Sequence, residues 1–182
     1  MSLHRLDRAT TALLVVDIQE RLMTAMESAA CERMVRRSVA LVVGARALGL
    51  PIAVTEQYPK GLGPTVAPVR EAVPDFSPIE KVSFSCVSDA VVAAFQGRRQ
   101  ILLCGAETHV CVFQTARDLA ARGLTAFLCA DAVLSRTEED RRVGLELCRG
   151  EGAVVTCVEA ALFDLLGRAG TPEFKAVSAA VK

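Results

Sequence analysis

The run TALLVVD, Thr11 to Asp17, decides the fold. Its apolar residues are continuous rather than alternating, which suits a strand covered on both faces, as in a parallel sheet between helices. Downstream, a helical pattern spans Cys31 to Gly49 with Met34, Leu41, Ala45 and Leu48 on one stripe. Gly49 stands where a C-terminal cap belongs. Leu50 to Thr55 is a second strand, and Ile79 to Val82 a weak one. Val87 to Gln96 reads as a helix with Ser88 as N-cap. Ile101 to Cys104 is a further strand, followed by a helix from about Val110 to Arg122 that stops at Gly123. Leu124 to Ala130 and Ala153 to Cys157 are strands; Thr137 to Arg149 and Val158 to Arg168 are helices. Short apolar runs alternating with helical patterns spell repeated βαβ units, with six strands if the weak one is counted.

The chain has 182 residues, 52% of them hydrophobic, with 21 basic and 21 acidic side chains. One domain over residues 1–182 is expected, and disorder is excluded. Zero net charge leaves no electrostatic footprint for nucleic acid or an anionic membrane. The longest apolar runs, such as Ala90 to Phe95, are too short to cross a bilayer. MSLHRLDRATT, the first eleven residues, lacks the apolar core of a signal peptide. Seven cysteines without a CxxC spacing read as reduced thiols, and so as a cytoplasmic protein. His4 and His109 are too few for a His-rich metal site, and no Trp with a single Tyr disfavours stacking platforms. Between Gln57 and Pro78 fall Pro59, Pro64, Pro68, Pro74 and Pro78, five of the seven prolines. A stretch this long without periodicity reads as a lid or binding loop. A small-molecule substrate is the expected partner.

Ligands of open parallel sheets bind outside the carboxyl ends of the strands. That directs attention to Asp17, Glu56 to Tyr58, Lys81, Gly105 to Cys111 and Asp131. A thiol in the first turn of a helix, where Cys111 falls, feels the positive end of the macrodipole, which favours the nucleophilic thiolate. The other reading of Cys111 is a small buried hydrophobe. The remaining six cysteines are taken as packing. Asp17 at the rim of an apolar strand needs a cationic or proton-donating partner, unless it is a turn or N-cap aspartate. Lys81 is either a solvated surface lysine or a group that stabilises a developing anion. Glu107 is an acid in an apolar turn, or the partner of a salt bridge.

Three motifs lead elsewhere. VVDIQ begins like a haloacid-dehalogenase phosphatase, but Gln19 stands where a second Asp is needed. CVFQTAR, Cys111 to Arg117, has the spacing of cysteine phosphatases, yet its residues are helix formers rather than a phosphate-cradling loop. Neither GxGxxG nor GxxxxGK[ST] occurs, so no dinucleotide or P-loop site is supported.

VVDIQ after a first strand, a mid-chain Lys and GAETHVCVFQTARDL after a later strand together resemble the isochorismatase-like cysteine hydrolase family, over essentially the whole chain. TEQYPKGLGPTV and TPEFKAV resemble its isochorismatase-domain-containing subgroup. The resemblance implies a three-layer αβα sandwich on a six-stranded parallel sheet. It implies Cys111 as nucleophile toward an amide or related carbonyl carbon, Asp17 as proton carrier and Lys81 as the group that positions and polarises them. A cis Ala106–Glu107 peptide is implied too, with the N–H groups of Glu107 and Cys111 facing an oxyanion. Gln19, Gln57, Tyr58, Phe84 and His109 are the expected substrate-binding residues. The family's metal-dependent nicotinamidases carry an Asp and two His after the second strand; TEQY here does not, so no catalytic metal or cofactor is expected. A homo-oligomer is expected. The alternative is a non-catalytic oligomer or binding protein, with a cysteine phosphatase behind both.

Overall fold

The computed structural model describes residues 5–182. His4 and the opening residues of MSLHRLDRATT lie outside them. Strand β1 (Thr11–Val16) leads through the short helix α1 (Glu20–Met23) to α2 (Ser28–Ala47), then β2 (Ile52–Gln57). Helices α3 (Pro59–Leu62) and α4 (Ala67–Ala72) precede β3 (Ile79–Lys81) and α5 (Asp89–Ala94). Next come β4 (Gln100–Ala106), a π-helical turn (Thr108–Val112), α6 (Phe113–Ala121) and β5 (Thr125–Leu134). The chain continues with α7 (Glu138–Gly150), β6 (Val154–Thr156), α8 (Val158–Leu166) and α9 (Pro172–Ala180).

All six strands are parallel, in the order β3-β2-β1-β4-β5-β6. The order runs outward in both directions from β1 and β4, so the switch point lies between their carboxyl ends. Every residue of β1 is fully buried, as its uninterrupted apolar run requires. Leu13 and Val15 pack with Met34, Leu41 and Leu162 on one face of the sheet. Ala12, Leu14 and Val16 pack with Phe95, Leu119 and Cys148 on the other. Those two cores make the expected αβα sandwich.

Several boundaries differ from the sequence reading. Helix α2 starts three residues earlier than Cys31, because the Glu27 carboxylate accepts the N–H groups of Ala29 and Ala30. Its end is as expected: Gly49, at φ +71°, takes the left-handed cap, and the Leu50 N–H reaches back to Ala45 O. Ser88 caps α5 by accepting from Val91 N–H. Ala120, at an apolar-looking position of α6, is exposed, and Thr115 is buried instead. Strand β5 runs on to Leu134 across an irregularity: Leu103 pairs with Leu128, but Gly105 pairs with Val133. The carboxylate of Asp131 in that irregularity accepts the Val158 N–H at the start of α8 and pairs with Arg37, so Asp131 ties layers together instead of joining the site.

The proline-rich stretch is not a free lid. Val69, Ala72 and Val73 are part of the core under α2. Buried Glu56 accepts from both the N–H and the hydroxyl of Thr65 at 2.7 Å. Five prolines hid the periodicity of α3 and α4, each of which carries Pro in its first turn, where its missing N–H costs nothing.

Candidate active site

Asp17 follows β1 directly, in the left-handed region at φ +50°, a conformation aspartate tolerates better than most residues. It is fully buried. Its Oδ2 lies 2.6 Å from Lys81 Nζ, and its Oδ1 accepts the Thr55 hydroxyl at 2.7 Å. Lys81 comes from the end of β3, and its side chain retains only 8% exposure. The ammonium also donates to Gln57 Oε1 at 2.7 Å and to the carbonyls of Phe84 and Ser83 at 3.1 and 3.2 Å. Burial works against its charge, but the anionic forms of Cys86, Asp17 and Cys111 outweigh that and hold its pKa above the ordinary lysine value.

Cys111 sits in the π-helical turn after β4, with 6% of its surface exposed. The turn is pinned to Glu107, whose carbonyl accepts from both Val110 and Val112 at 3.1 Å. Here the sequence expectation of a lowered thiol pKa fails. Burial pushes Cys111 up to about 12, the Asp17 carboxylate adds to the rise, and Lys81 opposes it. Desolvation of a thiolate outweighs the helix terminus. The resting group is therefore a neutral thiol, and its activation needs a base. Cys86, taken from the sequence as packing, is likewise raised to about 11 by burial, and its Sγ lies 3.4 Å from Thr55 Oγ1.

The other sequence candidates divide. Gln19 has no exposed surface: its amide donates to the carbonyls of Gln57 and Gly63 and accepts the Gln57 N–H. It clasps β2 to the proline-rich stretch and is corrected from a substrate contact to a structural one. Gln57 spends its amide on Lys81 and the Val82 carbonyl, so it orients the lysine. Tyr58 and Phe84 are half-exposed beside Lys81. His109 Nδ1 is 3.0 Å from Ser135 Oγ, and the Glu107 carboxylate pairs with Arg136 at 3.0 Å. The Ala106–Glu107 peptide is cis. Thr55 and Thr115, both buried and polar, were missed; for Thr55 its place near the end of an apolar strand was the available signal, whereas Thr115 lies within α6 and offered none. Among the described residues no group of three or more His, Cys, Asp or Glu side chains is placed to hold a metal ion.

Two glycines fix the turn. Gly105 adopts φ +121°, and a Cβ there would lie 1.9 Å from Val16 O. Gly144 lets α7 pack directly on the π-helical turn: a Cβ would stand 2.7 Å from His109 N and Thr108 C. Backbone cannot swing aside as a side chain can. Gly144→Ala is therefore expected to cost about 1–3 kcal/mol in urea unfolding and to slow modification of Cys111 in the remaining folded protein.

The site thus gathers a thiol and a buried carboxylate–ammonium pair at the switch point of a doubly wound parallel sheet. The Isochorismatase domain family matches residues 11–160, and the chain belongs to the isochorismatase family. It is 37% identical over 184 residues to isochorismatase domain-containing protein 2 of Bos taurus, covering 100% of this chain and 87% of that one. The structure of the MAR1 ribonuclease of Caenorhabditis elegans superposes with TM-score 0.92 at 35% identity, covering 97% and 92% of the two chains. Escherichia coli YcaC, described as an octameric hydrolase of unknown specificity, shares the fold at TM-score 0.82 and 24% identity, over 92% and 85%.

Proposed function

We propose that the chain hydrolyses a small amide or related carbonyl compound through Cys111, Asp17 and Lys81. The observation that carries this reading is the buried Asp17–Lys81 pair beside a thiol at the switch point. Asp17 accepts the Cys111 proton as sulfur adds to the carbonyl carbon. The N–H groups of Glu107 and Cys111 receive the oxyanion. Collapse expels the amine with the proton from Asp17 and leaves a thioester. Water, deprotonated by Asp17, then adds to the thioester and releases the acid and the thiol. Lys81 orients Asp17 throughout, while Tyr58, Phe84 and His109 line the approach. Incubating wild type and Cys111→Ser with an amide library and weighing the products tests this directly. A product profile unaffected by the substitution would leave the non-catalytic binding role as the better reading.

No metal or organic cofactor enters these steps. Treatment with a chelator should leave hydrolysis unchanged, since a catalytic zinc normally needs three protein ligands; loss in EDTA with recovery in zinc would overturn that expectation. The seven free thiols support a reducing, cytoplasmic location, and among the described residues no helix is long and apolar enough to cross a membrane. The half-buried stripe Cys31, Val35, Val39 and Val43 on α2 supports a homo-oligomer.

The likeness to the nematode ribonuclease favours a second reading, cleavage of RNA. The zero net charge speaks against it, and of the arginines around a hollow of about 610 Å³ away from Cys111, Arg37 and Arg141 are paired with Asp131 and Glu138 of the same hollow. Cleavage of labelled RNA that disappears in Cys111→Ser would put this reading first.

A further inference from the structure

Beyond the three reacting groups, the structure carries a buried set of polar groups that leads to Asp17. The hydroxyl of Thr115, one turn after Cys111, accepts the Cys86 N–H at 2.9 Å. Cys86 Sγ meets Thr55 Oγ1 at 3.4 Å, and Thr55 donates to Asp17 Oδ1 at 2.7 Å. Thr115, Thr55 and Asp17 are fully buried, and Cys86 is 1% exposed. Donor logic gives the set a direction. An ionised carboxylate only accepts, so the single Thr55 proton points at Asp17. Thr55 is then left with lone pairs, and the Cys86 thiol, kept protonated by burial, donates to them.

We propose that Thr55 and Cys86 are positioning residues: Thr55 donates to Asp17 while the Cys86 thiol occupies the remaining side of the Thr55 hydroxyl, so that the carboxylate is held fixed as the proton acceptor for Cys111. The proposal rests on the reading of Asp17 as the base. Cys86 is therefore a polar member of the site that never touches substrate. The titratable groups facing Asp17 are Lys81 from β3, Cys86 from the connection before α5 and Cys111 from the π-helical turn. None of the three is a second carboxylate, so Thr55 is the neutral donor that supplements Lys81. A hydrogen bond to a carboxylate favours its ionised form, and losing such a bond moves a reactivity that depends on that form to higher pH.

The test is the pH dependence of Cys111 alkylation by iodoacetamide, followed by peptide mass spectrometry, so that no substrate is required. Thr55→Val, which keeps shape and removes the donor, should move the acid limb up by about one to two pH units, the value of one hydrogen bond to a charged group. Thr55→Ser should restore the wild-type limb. Cys86→Ala should move it in the same direction and Cys86→Ser should not. Thermal melts show which variants fold; if Thr55→Val does not, the two Cys86 variants decide. Limbs unchanged in Thr55→Val, or the same in Cys86→Ala as in Cys86→Ser, overturn the proposal. Asp17→Asn separates the two layers. If it abolishes the limb while Thr55→Val leaves it in place, only the positioning role falls. If it too leaves the limb intact, the proton-acceptor reading falls and takes the positioning role with it.

Discussion

Replacing Cys111 with alanine is expected to lower kcat/KM on any amide substrate by at least about 10³-fold, and adding Asp17→Asn to that background should change little more. A base has nothing to deprotonate once the thiol is gone, so groups that act as a unit are lost as a unit. The neutral resting thiol strengthens the expectation: with burial holding Cys111 near 12, very little thiolate exists without a proton acceptor. Asp17→Asn alone should therefore approach the loss seen in Cys111→Ala. Steady-state kinetics on the four proteins of the cycle measures this. Effects that multiply instead of saturating would show that Asp17 and Cys111 serve separate steps.

Lys81→Met is expected to destabilise the fold by about 3–5 kcal/mol, the usual cost of leaving one member of a buried ion pair without its partner. Asp17 has no exposed surface and would be left beside the neutral Thr55 hydroxyl and Cys111 thiol, neither of which replaces a cation. The double variant Asp17→Asn with Lys81→Met should recover most of that loss, because no uncompensated charge remains. Urea unfolding of the single and double variants gives the comparison, and a double variant no better than Lys81→Met would exclude this account. The alkaline side has a definite sign. Since the folded pKa of Lys81 is raised, its contribution is fully present below the ordinary lysine value of 10.5 and is lost as pH rises through the higher folded value. The advantage of wild type over Lys81→Met should thus hold up to pH 10.5, shrink above it and be lost beyond the folded value.

What the sequence could determine follows from periodicity and punctuation. TALLVVD reads as a strand covered on both faces, and the spacing of apolar runs and helices implied a parallel sheet. Strand ends then pointed to Asp17, Glu56 to Tyr58, Lys81, Gly105 to Cys111 and Asp131, and the family resemblance singled out Asp17, Lys81 and Cys111 among them. The proline-rich segment was illegible because helices of four and six residues are too short to show a period.

Tertiary structure alone decided the chemistry of the groups. Whether a helix terminus or burial governs the Cys111 thiol depends on how many atoms surround it, and a single chain of letters carries no solvent accessibility. Gln19 looked like a substrate contact until its amide proved to be fully engaged by Gln57 and Gly63. Cys86 and Thr55, 31 residues apart, looked unremarkable until the register Val16↔Thr55 set Thr55 beside the end of β1 and Asp17. Local sequence sets backbone conformation, which is a nearest-neighbour property. Hydrogen-bond partners and dielectric surroundings are set by residues that meet only after the strands have aligned.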